Sequence, residues 1–177
     1  MTILILVESP SKISKIKGFL GSDYEVMASL GHVRQLPRDK LGFDIDNNFE
    51  PEFENMPEKL DTIKKIKAKA KEADKVVLSS DDDVEGAAIS WHLAEILKLP
   101  ANKRIRATFH EITKSAVTKA VSATLANNTL LDMNQVYAQF ARMVLDKLIG
   151  YKVSPLLWKE YNNYHLSDLK YFDLNKY

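Results

Sequence analysis

Two short apolar runs constrain the fold of this chain more than anything else in it. Ile3–Val7 (ILILV) contains only isoleucine, leucine and valine, and Lys75–Ser79 (KVVLS) repeats the theme after one lysine. Runs without polar alternation belong to strands covered on both faces, and such strands occur in parallel sheets flanked by helices. Tyr24–Ser29 and Ile105–Phe109 read as two further strands. Between them lie segments with helical spacing of apolar residues. Ser9-Pro10 form a helix start ahead of Ile13, Ile16, Phe19 and Leu20, and Gly21 forms a stop. Pro57–Glu72 puts Leu60, Ile63, Ile66 and Ala70 on one face and its lysines on a solvated one. Glu85–Leu97, Thr113–Ala126 and Met133 to about Ile149 complete the helices. Strands alternating with helices predict an α/β layer fold, Rossmann-like, with a mostly parallel four-stranded sheet and a C-terminal helical segment. Gly31 to Phe53, with Gly31, Pro37, Gly42 and Asp46-Asn47-Asn48, is a long excursion from the core.

The 177 residues carry a formal net charge of +1, so nucleic-acid binding would have to come from local patches. Cysteine is absent, which excludes disulfides, thiolate metal sites and a cysteine nucleophile. Any metal is then held by oxygen or histidine. No run is long enough to span a bilayer, and the N-terminus lacks the features of a signal peptide. The expectation is an intracellular protein with no membrane contact.

In doubly wound folds, ligands gather at the carboxyl ends of strands. Glu8 follows the first strand; Asp81 and Asp83 follow the third, and Glu85 opens the next helix. If the stretch is extended, Asp81 and Asp83 point the same way. Carboxylates so placed repel one another unless a cation intervenes, and Mg²⁺ takes one or two carboxylates with water and phosphate. An acidic cap on a helix N-terminus, which the macrodipole favours, is the competing reading of Asp81-Asp82-Asp83. The residues by themselves leave both open.

The words ILVESPSK, ASLGHVRQLP, DNNFEPEFE, LSSDDDVEGAAISWHL, FHEITKSA and DMNQVYAQFARMVLDKLIGYKVSPLLWK follow in order. Together they resemble the N-terminal part of a type IA DNA topoisomerase, a family that cuts, passes and reseals single DNA strands without ATP. The resemblance runs from Met1 to Lys159. It implies a toprim domain over 1–131, the start of a helical domain over 132–159, and a divergent tail over 160–177. It also implies Glu8 as the residue moving a proton at the DNA 3′-oxygen. Asp81, Asp83 and Glu85 become Mg²⁺ ligands, Lys12 a neighbour of the scissile phosphate, and Arg142 and Tyr151 contacts to the strand upstream. Arg142, Asp146 and Lys147 share one helix side and could face the backbone together. His32 is read as satisfying a hydrogen bond in its loop, and Trp91 as packing. The implied partner is DNA in a single-stranded region, at a cytoplasmic, nucleoid-associated location if the protein is bacterial.

The departures are local. The family's Asp-Pro-Asp-Arg-Glu-Gly-Glu turn here reads Asp81-Asp82-Asp83-Val84-Glu85-Gly86-Ala87. Asp82 and Val84 each move the charge one unit negative and Ala87 returns one, a net change of about −1. Gln35 stands for an aspartate, Phe140 for a polar residue and Met143 for a basic one. Beyond Lys159 only Leu166-Ser167 of the family's next run is kept, and none of Tyr24, Tyr137, Tyr151, Tyr161, Tyr164, Tyr171 or Tyr177 has the context of a cutting tyrosine. The expectation is a truncated product or one piece of a split enzyme, partnered by a second polypeptide carrying the cutting tyrosine. A free-standing toprim nuclease or primase-like protein, and a non-catalytic DNA- or partner-binding module, are the alternatives.

Overall fold

The computed structural model describes the backbone of residues 1–163 and the side chains of 1–159; the rest of the tail, with Tyr164, Leu166-Ser167, Tyr171 and Tyr177, lies outside the described residues. A parallel sheet of β1 (Ile3–Val7), β2 (Tyr24–Ala28) and β7 (Lys75–Ser79) forms the centre, in the order β2-β1-β7. Ile5 pairs with Val26 on one side and Val77 on the other. All of β1 is buried, as its unbroken apolar run requires. Alternation splits its side chains between two cores. Leu4, Leu6, Val76 and Leu78 meet Ile63 and Ile66 of α2 (Leu60–Glu72) and Ile89 and Leu93 of α3 (Val84–Ile96). Ile3, Ile5, Val7 and Val77 meet Ile16 of α1 (Ile13–Leu20) and Val117 and Val121 of α4 (Lys114–Asn127). Each fully buried Leu or Ile side chain contributes roughly 1.5–3 kcal/mol, so both faces of the sheet are needed.

The fourth strand is shorter than its sequence suggests. Leu78 donates to the Ile105 carbonyl (3.0 Å) and accepts from Ala107 (2.9 Å), making one parallel bridge, and the ladder stops there. Ile105 also bridges Leu130, and Arg106 donates to the Thr129 carbonyl, so the segment is clamped on both edges. Ser9 makes no capping bond; its hydroxyl pairs with Ser11 at 2.8 Å. Leu60, expected on the buried face of α2, is 53 % exposed because the helix starts there, beyond the sheet.

The Gly31–Phe53 excursion is a nested hairpin. β3 (Arg34–Gln35) pairs antiparallel with β6 (Glu54–Asn55), and β4 (Phe43–Asp44) with β5 (Glu50–Pro51) inside it. Val33, Leu36 and Phe43 are buried and anchor it. α5 (Met133–Leu148) begins on an Asp132 cap that accepts from Asn134 (2.9 Å). It packs onto α3 through Val136 and Phe140 against Ala87 and Ala88. Three departures from the family pattern therefore meet in space: Ala87 and Phe140 fill one apolar cluster, with Met143 at its edge. A wide π-helical turn, Ile149–Val153, leads into α6 (Ser154–Asn163). No helix among the described residues is long and apolar enough to cross a membrane.

Candidate active site

Glu8 and Asp81 stand just past the carboxyl ends of β1 and β7, neighbouring parallel strands whose last pairs are Val7 and Ser79. The backbone of Glu8 is fixed by an unusual turn. Leu30 and Gly31, at φ 62° and 84°, both donate to its carbonyl (3.0 and 3.3 Å). Leucine adopts a left-handed conformation only at a cost, and glycine without one. Burial raises the Glu8 carboxyl above its usual range; Asp81, Glu85 and Asp83 push the same way, and Lys12 opposes them. Those acids are therefore close enough to be felt as one negative field.

The Asp81-Asp82-Asp83 stretch is not extended. Asp83 donates from its amide to the Asp81 carbonyl (2.9 Å), and its Oδ1 caps α3 by accepting from Gly86 at 2.6 Å. The turn directs Asp83 toward the helix, so the helix-cap reading describes this residue correctly. Asp81 keeps an exposed carboxylate, and the ammonium of Lys12 pairs with its Oδ1. Glu85 accepts or shares a hydrogen bond with His32 Nε2 at 3.2 Å. The expectation that His32 merely satisfies its own loop is corrected: the nested hairpin delivers it to the acidic turn.

Two residues that sequence reasoning passed over build this turn. Arg106 is buried, with one terminal nitrogen donating to the carbonyls of Asp81 and Asp83 and the other to Gln135 Oε1 (2.7 Å). Its Nε donates to Ser80 Oγ at 3.2 Å. Ser80 donates in turn to the Gly86 carbonyl (2.6 Å) and accepts from the Ser90 hydroxyl (2.9 Å). The serine is fully satisfied, as a buried hydroxyl must be. Burial lowers the Arg106 pKa, while Asp82, Asp83, Asp132 and Asp81 pull it back up. Gly86 is the second: a Cβ there would stand 2.3 Å from the Asp81 carbonyl oxygen. A lone arginine between Ile105 and Ala107 in a strand-like run reads as an outward-facing strand residue, which hides its role. The close approach at Gly86 falls in the first turn of α3, where its amide is held by the Asp83 cap.

The donor set suits a hard cation. The carboxylates of Glu8 and Asp81 follow the two strand ends, and a positive group, the Lys12 ammonium, already stands beside Asp81. Among the described residues, however, no three Asp, Glu or His side chains form a ready ligand group. The arrangement thus fits Mg²⁺ in its sparse mode, with one or two carboxylates and the remaining positions left to water and phosphate.

Arg142 lies exposed on α5. Tyr151, 39 % exposed, donates its hydroxyl to the Arg38 carbonyl. Lys147 donates to the Pro37 carbonyl (2.6 Å) and sits 4.4 Å from the Tyr151 ring centre. Lys147 and Tyr151 therefore clasp the nested hairpin to α5, and of the trio Arg142, Asp146 and Lys147 the lysine is already engaged. A cleft of about 840 Å³ between residues 47–51 and α5, lined by Phe49, Phe53, Trp91, Tyr137 and Phe140, lies apart from the carboxylates. Trp91 packs against Phe53 and Phe140, as expected of it.

The Toprim domain family matches residues 3–112. Among solved structures, full-length topoisomerase I from Thermotoga maritima superposes with a TM-score of 0.79 at 42 % identity. The match covers 88 % of this chain and 26 % of that one. The chain thus spans about a quarter of the length of the topoisomerase it resembles.

Proposed function

The chain belongs to the Toprim domain family, and on that premise we propose that it is the N-terminal toprim part of a type IA DNA topoisomerase. In that role it supplies the proton- and metal-handling half of ATP-independent strand breakage, passage and religation, alongside a cutting-tyrosine domain. The observation that carries this reading is the placing of Glu8 and Asp81 at two adjacent strand ends, with Lys12 paired to Asp81, where burial first and the neighbouring acids second raise the pKa of Glu8. A similarity that continues past the toprim residues, through 88 % of the chain, supports a topoisomerase over other toprim proteins.

Each residue's part follows from its surroundings. Glu8 holds its proton more tightly than an ordinary carboxyl, which suits a group that gives a proton to a leaving 3′-oxygen and takes it back on religation. Of Asp81, Asp83 and Glu85, one or two would hold Mg²⁺, with water and phosphate taking its other positions, and the ion would supply charge neutralisation at the break. For this Asp83 has the oxygen left over from capping α3. Lys12 offers an ammonium to the same phosphate, and Arg106 fixes the backbone that carries the acids. Arg142 and Tyr151 contact single-stranded DNA upstream of the cut.

Purified residues 1–177, titrated with Mg²⁺ by calorimetry and incubated with supercoiled plasmid, test the reading. Mg²⁺ binding that weakens in Asp81→Ala, with the plasmid left supercoiled, is the expected result. A Mg²⁺-dependent nick lost in Asp81→Ala would replace the topoisomerase reading with a nuclease. Single-strand binding indifferent to changes at Glu8 and Asp83, without Mg²⁺ binding, would leave only a binding module.

A further inference from the structure

The acids of the turn differ in what holds them. Asp83 is tied to a backbone amide of α3, and Glu85 to the imidazole of His32. Asp82 faces the exposed His110 imidazole at 3.5 Å, and Asp81 is paired with the Lys12 ammonium, a permanent charge on a flexible stem. The Asp81 backbone does not depend on that pair, because Arg106 and the Asp83 amide both grip its carbonyl oxygen. Lys12 belongs to the turn after β1 and reaches across from the Glu8 strand end to the β7 strand end. Its side chain is 19 % exposed against 57 % for that of Asp81, so the carboxylate is open to solvent on a side the lysine leaves uncovered.

We propose that Lys12 and a divalent cation exchange at Asp81, so that metal binding releases the lysine ammonium to a DNA phosphate. This inference rests on the Mg²⁺ reading given above and adds a coupling to it. A divalent ion on the same carboxylate repels an ammonium in contact with it, and the repulsion grows as water is excluded. Lysine is suited to such a move, being a point charge on a flexible stem. Without metal, Lys12 neutralises part of the acidic field beside Asp81. With metal, that task passes to the ion, and the lysine becomes a phosphate ligand. Metal and DNA then strengthen each other's binding by the same factor, as linkage demands.

The test reads binding, not turnover. Lys12→Met keeps the stem and removes the charge. The full chain and its variants are titrated with Mg²⁺ by calorimetry, and with a fluorescent oligo-dT by anisotropy in EDTA and in Mg²⁺. Exchange predicts that Lys12→Met binds Mg²⁺ about three-fold tighter than wild type, the scale of one partly exposed ion pair. It predicts that Mg²⁺ tightens oligo-dT binding of wild type and loses that effect in Lys12→Met. In EDTA, Asp81→Asn frees the lysine and tightens oligo-dT binding about three-fold, whereas Asp82→Asn, the same change of charge one residue away, does so less. In Lys12→Met/Asp81→Asn the gain disappears. Unchanged Mg²⁺ affinity in Lys12→Met, or equal effects of Asp81→Asn and Asp82→Asn, overturns the exchange while the metal site stands. No Mg²⁺ binding by any form overturns the site and the exchange together.

Discussion

Gly18 and Gly86 both lie inside helices, yet alanine at each is expected to act in opposite directions. At Gly18, in α1, an added Cβ meets nothing within 4 Å. Alanine there gains helix propensity and reduces unfolded-state entropy, stabilising by about 0.5–1 kcal/mol. At Gly86 the same propensity gain is opposed by a Cβ 2.3 Å from the Asp81 carbonyl oxygen, 3.0 Å from Ser80 Oγ and 3.1 Å from the Asp81 carbonyl carbon. Two of these are backbone atoms, and Arg106 holds that oxygen in place. Reaching ordinary contact requires a displacement of about 1 Å, and overpacking of this kind costs roughly 1–3 kcal/mol. The displacement also strains the Asp83 cap and the bond from Ser80 to Gly86, with the cap alone worth about 1 kcal/mol. The net expectation for Gly86→Ala is a loss of about 1–3 kcal/mol. Urea melts of wild type, Gly18→Ala and Gly86→Ala read this as midpoint shifts of opposite sign at unchanged slope. Calorimetry then shows weaker Mg²⁺ binding in Gly86→Ala alone. If Gly86→Ala is as stable as Gly18→Ala, propensity has won, and the close approach that shapes the acidic turn is refuted.

His92 is buried among Phe53, Trp91 and Phe140, and burial lowers its pKa to about 3. The unfolded chain takes up this proton near pH 6.5 and the folded one does not, so stability falls as pH drops from there toward 3, by about 1.4 kcal/mol per unit at most. Urea melts at pH 7 and 5 should show a shallower pH dependence in His92→Met; identical slopes would remove His92 as the cause. Glu8 works the other way, since a raised carboxyl favours the fold below the unfolded value and loses that benefit as pH climbs through the folded one. Glu8→Gln should therefore be more stable than wild type at pH 7 and no better at pH 3.5, and a loss at pH 7 would contradict the burial and repulsion that raise the carboxyl. Arg106→Met leaves the carbonyls of Asp81 and Asp83 without their guanidinium and should cost about 3 kcal/mol by urea melt, with Arg106→Lys failing to restore it. Val84→Arg places at the turn the cation found in the family's pattern and should tighten oligo-dT binding, steepening its salt dependence by about one ion; unchanged binding would show that Val84 does not limit DNA affinity.

The sheet was legible because both its faces are buried: ILILV and KVVLS read as strands covered on both sides, and their limits agree to the residue. Ile105–Phe109 looked equally strand-like, but the chain turns off after Ala107 once Arg106 has reached the acidic turn. No local pattern encodes that event. The acids were placed correctly at the strand ends, whereas the direction of Asp83 was not, because an extended stretch and a capping turn share the same letters. His32, Arg106 and Gly86 shape the site through contacts 53, 25 and 5 residues away in sequence. His32 and Gly86 lie in words that the sequence shares with the family, but the contacts they make, like those of Arg106, follow from the fold.

The pairing of β1 with β7 has a consequence for how the protein comes into being. Val7 and Ser79, which deliver Glu8 and Asp81 to each other, lie 72 positions apart, and every pairing in the sheet is parallel and non-local. Closing so long a loop is paid in entropy before any contact rewards it, and chains of this topology fold slowly. Acids that repel one another gain nothing by meeting early. The site therefore exists only once β7 has docked on β1, and no stretch lacking either strand can carry it.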